Sequence, residues 1–525
     1  MILALGRIAI MANYGDKTHD AVANNAVNGE IAESPIDRIA KLLAGDKKVK
    51  VAGIDCDGIL RGKIIHKSKF LSSLESGFGM SSAIFGWDMH DVLYTEETSL
   101  TSADSGYQDF TAVIDLDSFR RLPFEDNIAF FLLHFYIQEK PVFADGRGLV
   151  KALSNNLADS GYKGLAGVEL EFMNFQTPSQ DGYSSSTDRP NLAAFLANNA
   201  PKALRPVTAG AFGYSATRPI MAKQYFHDIF DQSLELDCPI EGWHTESGPC
   251  VYEAALAVSQ VSHMADNVAL FKSVFSTNAV KSTGLIYLSR LVCKSVGVQH
   301  NITPCFMAKP IQGLPGNSGH IHVSLTTKEG QNVFVRETPD ADPRWPDMAY
   351  LSDTGRHFLA GIISALPDIM PLLAPNVNSY KRLVENYWAP VSVSWGFEDR
   401  LASIRLVAPP SCKPSATRFE IRVPGADIHP HYALSAIFYA GLRGIKNKMQ
   451  ITIPPESARP KETPAERLPN TLEAALGRFG AKDSVARQIL GDEFVDFFTV
   501  SRRHELRQWR EAVTDWEFSR YIETV

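Results

Sequence analysis

Three short segments of this chain alternate a titratable residue with an apolar one, and its chemistry starts there. Successive side chains of a strand point to opposite faces. Gly167-Val-Glu-Leu-Glu-Phe172 therefore sets Glu169 and Glu171 on one face and Val168, Leu170 and Phe172 on the other. Gly319-His-Ile-His-Val-Ser-Leu325 groups His320, His322 and Ser324 against Ile321, Val323 and Leu325. Thr417-Arg-Phe-Glu-Ile-Arg-Val423 groups Arg418, Glu420 and Arg422 against Phe419, Ile421 and Val423. A fourth segment, EGWHTESGPCVYE from Glu241 to Glu253, adds Glu246 and Glu253 around a Ser-Gly-Pro turn. Taken singly, each strand reads equally as an amphipathic edge with a solvated face. Taken together they hold five glutamates and two histidines in polar-in, apolar-out contexts. A carboxylate-rich set with little nitrogen suits hard divalent ions such as Mg2+ or Mn2+, which work beside phosphates. Arg382, Arg400, Arg405, Arg418 and Arg422 supply the cations that a transferring phosphoryl group needs.

Strands must hold these groups and helices must back them, so a mixed α and β chain is expected. A short amphipathic helix over Ile36–Leu43 precedes a hairpin of Val49–Asp55 and Ile59–Ile65 turning at Asp57-Gly58. Strands at Thr111–Leu116 and Ala129–Tyr136 complete a small β-rich region ending near Pro141. Beyond Arg147 the periodicity predicts a helix over Gly148–Leu157 and a strand over Gly167–Phe175. Further helices are predicted over Thr217–Leu234, Ala254–Val274, Thr283–Ser295, Asp353–Ala365 and His431–Lys446. Gln176–Pro190 is turn-rich and reads as a surface loop, and a Pro-rich connection at Ile453–Pro469 precedes a last helical region.

The bulk composition sets bounds. The chain has 525 residues, 45% hydrophobic and 21% charged, enough for a large core and far from low complexity. A net charge of −7 gives no field to hold a polyanion, so nucleic acid is not an expected partner. Its six cysteines include no Cys-x-x-Cys pair, which fits a reducing, cytoplasmic location better than a disulfide framework. No apolar run approaches the length of a membrane helix, so no membrane association is expected. Residues 1–35 read as a disordered tail, with translation starting at Met1 or at Met11.

The motifs VELEF, HTESGPCVYE, FMAKP with SGHIHVSL, NSYKRLV with WAPVSVSWG, RLASIR, TRFEIRVPG and YAGLRGIKNK stand in that order. In that order they resemble the glutamine synthetase family, from about Val49 to Lys448. The resemblance implies an α+β fold: a small N-terminal β-grasp domain over 36–142 and a larger catalytic domain over 143–525, with an antiparallel β funnel flanked by helices. It implies a ring oligomer, a decamer or dodecamer, with active sites between neighbouring subunits. By the same resemblance Glu171, Glu246 and Glu253 ligate a first metal, and Glu169, His320 and Glu420 a second. His322 and Ser324 lie near the nucleotide, Gly316 and Arg405 line the substrate or nucleotide pocket, Arg382 meets the glutamate carboxylate, and Arg418 and Arg422 meet phosphate or substrate. The implied reaction is ATP phosphorylation of the glutamate γ-carboxylate, followed by displacement of phosphate by ammonia or an amine.

Departures from the family pattern bear on that reaction. Trp388 stands where ammonia-using members carry a glutamate, and an indole takes no proton but offers an apolar wall and a cation–π face. Trp-Ala-Pro also resembles the γ-glutamyl-polyamine branch and fungal glutamine-synthetase-like proteins. Alternatively Trp388 is a core aromatic beside Tyr387. Glu398-Asp399 replaces Arg-Asn ahead of Arg400, Thr245 replaces a histidine, and Val251 replaces a glutamine. Asp88, in FGWDMHD, is a candidate for the acid that a neighbouring subunit lends to the ammonium site. These departures keep open a second reading, a catalytically weak ring protein with a structural or developmental signalling role. A phosphotransferase without amide formation is a third.

Overall fold

The computed structural model describes residues 34–183, 191–272, 292–385 and 388–524. Most of the expected tail, the end of the Gln176–Pro190 loop, Tyr387 and most of the helix read over Thr283–Ser295 lie outside them. The chain divides into two compact units, Met1–Gly45 and Asp46–Val525. In the first, α1 (Pro35–Leu42) begins where the Ser34 hydroxyl accepts the Asp37 N–H at 3.1 Å, and proline sits at its first position.

The second unit carries two sheets. One joins β1 (Lys48–Ile54), β2 (Leu60–His66), β3 (Phe78–Ser81), β4 (Asp109–Ile114) and β6 (Ile128–Ile137) in the order β2-β1-β6-β4-β3, with β5 (Arg120–Leu122) and β7 (Lys140–Pro141) also on β6. From Ile128 to Phe135 every residue of β6 is buried, which explains its near-continuous apolar sequence. The other sheet runs β13 (Trp395–Phe397), β14 (Ile404–Val407), β15 (Arg418–Ile421), β12 (Ile321–Thr326), β8 (Lys163–Gln176), β10 (Val251–Gln260), β9 (Ile240–Thr245), with β11 (Ile302–Cys305) on β8. Its pairings are antiparallel apart from β13 with β14, which run parallel.

Among the described residues the helices of eight or more are α1, α2 (Gly146–Asp159), α3 (Lys223–Glu235), α4 (Val261–Lys272), α5 (Val292–Gln299), α6 (Asp353–Ala365), α7 (Pro430–Lys446), α8 (Leu472–Phe479) and α9 (Asp492–Glu511). The helix expected over Ala254–Val274 is corrected: residues 254–260 are strand, 261–272 are helix, and the last two lie outside the described residues. Alanine and leucine favour a helix locally, yet a central place beside β8 overrides propensity. Helices α6 and α7 meet backbone to backbone, since a Cβ on Gly361 would lie 2.2 Å from the Ala440 carbonyl oxygen. No helix among the described residues is long and apolar enough to cross a membrane.

Candidate active site

The eight-stranded sheet gathers the titratable groups by register. On β8 the backs of the site residues, Val168, Leu170 and Phe172, are buried, and the Phe172 ring stacks on Phe306 at 4.8 Å. Burial of each such side chain is worth about 1.5–3 kcal/mol, which fixes the opposite face of β8 toward the acids. Glu171, Glu253 and His244 stand directly opposite one another on β8, β10 and β9. His322 stands opposite Glu420 on β15, and Glu420 opposite Arg405 on β14. His320, just ahead of β12, accepts the Glu169 N–H on its carbonyl at 3.0 Å.

Two clusters result. Glu169, His320 and Glu420 each offer a ligand atom within 4.8 Å of the others, and so do His244, Glu246 and Glu253. In the first, His320 Nδ1 lies 3.3 Å from Glu169 and 3.5 Å from Glu420. Its Nε2 is buried without a hydrogen-bond partner, and desolvation pushes the imidazole down to about 4, so it is neutral near pH 7. A buried, neutral imidazole with one nitrogen unused is what a metal ligand requires. Burial opposes ionisation of Glu169, but hydrogen bonds from His320 and His322 hold its carboxyl well below the usual range.

In the second cluster the acids crowd. Burial and the facing Glu253 charge push Glu171 up to about 8, and burial also raises Glu253. Glu253 lies 3.2 Å from His244 Nε2, and that hydrogen bond pushes the imidazole up to about 9. Carboxylates that face each other and hold protons to unusually high pH form a site that a divalent cation would relieve. Both donor sets thus fit a hard ion. His244 was missed by the sequence reading, although its i, i+2 spacing to Glu246 was the same signal used elsewhere. The close trio contains it, while Glu171 sits across the ladder and accepts the Ser318 N–H at 2.6 Å. The Tyr214 ring, 69% exposed, stacks on His244 at 4.3 Å.

The arginines are held in place by named partners. Arg422 donates to Glu420, and Arg405 donates to Glu420 at 3.0 Å and to Glu398. Arg418 donates from Nε to His322 Nδ1 at 3.1 Å, and His322 Nε2 lies 3.0 Å from Glu169. Arg382 is buried and donates to the Val423 and Arg422 carbonyls, and burial lowers its guanidinium to about 10. Arg400 is exposed on the turn between β13 and β14. Ser324 shares the His322 face of β12. The Gly316 backbone comes so close to the Ala308 carbonyl oxygen that a Cβ would lie 2.2 Å from it. Trp388 is 67% exposed, which rules out the core-aromatic reading.

Asp88 is not brought to either cluster. Its carboxylate accepts the His90 and Val92 N–H groups and lies 3.1 Å from His504 Nε2 of α9. Thr245 ties the neighbouring loop, accepting the Ser215 N–H at 2.9 Å and donating to the Phe212 carbonyl at 2.8 Å.

A model of the glutamine synthetase catalytic domain matches residues 143–287 and 276–521. The Type-1 glutamine synthetase 2 of Dictyostelium discoideum is 35% identical over 91% of this chain and 84% of its own. Gamma-glutamylethanolamide synthetase GlnA4 of Streptomyces coelicolor is 30% identical over 92% of this chain and 94% of its own. Glutamate–isopropylamine ligase of a Pseudomonas species is 28% identical, over 91% and 95%. The solved structure "GmaS/ADP complex-Conformation 1" shares the fold, with a TM-score of 0.71 at 22% identity over 93% of this chain and 99% of that one. Two acidic clusters and their arginines gather on one sheet within the residues that the family model matches, and the chain belongs to the glutamine synthetase family.

Proposed function

We propose that this protein is an ATP-dependent ligase that joins the γ-carboxylate of glutamate to an organic amine, with ammonia as the alternative acceptor. The observation that carries it is the pair of clusters on one sheet, with Arg405 and Arg422 bonded to Glu420 and Arg418 bonded to His322 beside them. Glu171, Glu246 and Glu253, with His244 beside them, would hold one divalent ion, and Glu169, His320 and Glu420 a second. Two such ions, Mg2+ or Mn2+, supply positive charge against the terminal phosphates of ATP and the acyl phosphate.

The remaining steps fall to the chain. Arg418 and Arg422 would meet phosphate oxygens or substrate, His322 and Ser324 the nucleotide, and Arg382 the substrate carboxylate across from Glu171. A γ-carboxylate oxygen attacks the terminal phosphorus and ADP leaves. The neutral amine then attacks the acyl carbon, its C–N bond forms, and phosphate departs with the bridging oxygen and takes up the proton that the nitrogen loses. Trp388 takes no proton, and its exposed ring favours an alkyl-bearing amine over ammonium. Relatives named for isopropylamine and ethanolamide chemistry support that choice.

On this reading the seven-stranded sheet forms a β-grasp domain over 36–142, residues 143–525 form the funnel-shaped catalytic domain, and cytoplasmic rings of ten or twelve subunits bring Asp88 near a neighbour's site. Phosphate release with Mg2+ or Mn2+, ATP and glutamate tests it, with ammonium, methylamine, isopropylamine, ethanolamine and polyamines supplied singly. Release is expected to need both glutamate and an amine, and to be faster with an alkylamine than with ammonium. Bound ATP with no release for any amine would favour the structural or signalling reading instead.

A further inference from the structure

Glu398 belongs to neither acidic cluster, yet it sits on one of the site's arginines. Arg405 is shared between two carboxylates: Nη1 donates to Glu420 at 3.0 Å, while Nε donates to Glu398 Oε2 at 2.9 Å and Nη2 donates to the same oxygen. The Ser411 hydroxyl is shared between the other oxygen of Glu398 and the Ala408 carbonyl at 2.7 Å. Two guanidinium N–H groups in a fork plus one hydroxyl is a donor set that suits a phosphate oxygen as well as a carboxylate. Glu398 is held there in the left-handed region, at φ 52°, uncommon for a residue with a side chain. Its N–H is fixed to the Leu406 carbonyl at 3.0 Å, so the side chain can swing without the strand moving. The Glu398 and Arg405 side chains are 26% and 15% exposed, so water is available to a displaced carboxylate.

We propose that Glu398 is a positioning residue whose carboxylate occupies an oxyanion seat formed by Arg405 and Ser411, a seat that a phosphate oxygen of the nucleotide takes by displacing it. This rests on the ligase reading above. The acid keeps Arg405 aligned and the seat closed when nucleotide is absent, and it competes directly with the anion that enters. The seat is therefore self-inhibited, with the strength of inhibition set by one side chain.

The test is calorimetric titration of the full chain with Mg-ADP, comparing wild type, Glu398→Gln and Glu398→Ala, each first shown to be folded by circular dichroism. Removing the competing charge is expected to tighten ADP binding by about tenfold in both variants, equivalent to about 1.4 kcal/mol. The ATP KM is expected to fall by a similar factor with kcat changed less, a split that loss of a merely structural contact would not produce. Folded variants that bind ADP no tighter than wild type, while wild type binds it, would overturn the seat and leave the ligase reading standing. No ADP binding by any form would overturn both.

Discussion

Glu253→Ala is expected to lower amine-dependent phosphate release by on the order of 10²–10³-fold or more, and to abolish tight Mn2+ binding. Glu253 is the member of the second cluster shared by both neighbours, opposite Glu171 on β8 and bonded to His244 on β9. Like charges directly opposite in a ladder destabilise it. Removing Glu253 relieves that repulsion while losing the His244 contact, so the metal-free variant should melt within a few degrees of wild type. The combination is diagnostic, because a structural glutamate would show the reverse: retained turnover with lost stability. Turnover and Mn2+ affinity both near wild type would remove Glu253 from the site.

The largest effect on stability is expected at Arg147, far from the reacting groups. It is buried at the start of α2 and donates through Nε and Nη2 to Asp266 of α4 at 2.9 Å each, and to Asp115 beyond β4 at 2.6 Å. His431 of α7 lies 2.9 Å from the same Asp266. The guanidinium thus ties α2 to α4 and to the region after β4, and Asp266 extends the network to α7. Arg147→Met leaves Asp266 buried without its main cation, a change that costs about 3–5 kcal/mol when one partner of a buried pair is removed. Equilibrium denaturation of the variant checks this, and a loss below about 1 kcal/mol would show that the network contributes little.

How much was legible beforehand varies with the physics of each element. The three alternating strands were readable because the period of two is strict: a one-residue slip would bury Glu169 and Glu171 and expose Val168 and Leu170. The helices over 353–365 and 430–446 were readable because Leu, Ile, Phe and Ala recur at helical spacing with sharp ends. Residues 254–260 were misread because their Ala-Ala-Leu-Ala run favours a helix alone, and only pairing with β8 and β9 makes them a strand. His244 carried the same alternation as the acids but was passed over in favour of glutamates. Arg147 gave no sign at all, since its partners lie at Asp115 and Asp266 and only the assembled fold brings them within reach. Nor could the sequence say where Glu398 points; the answer, toward Arg405 and Ser411, depends on a positive φ that no local pattern announces.

The central claim is that glutamate is activated as an acyl phosphate on this sheet and then captured by an amine. It is tested most directly with glutamate carrying heavy oxygen in both γ-carboxylate positions, ATP, Mg2+ and the best amine of the panel, with the released phosphate analysed by mass spectrometry. The account predicts one heavy oxygen in each phosphate, because the bridging oxygen leaves with phosphorus when the amide forms. Phosphate free of label, with ATP still consumed, would contradict it and mean that phosphoryl transfer goes to water or another acceptor.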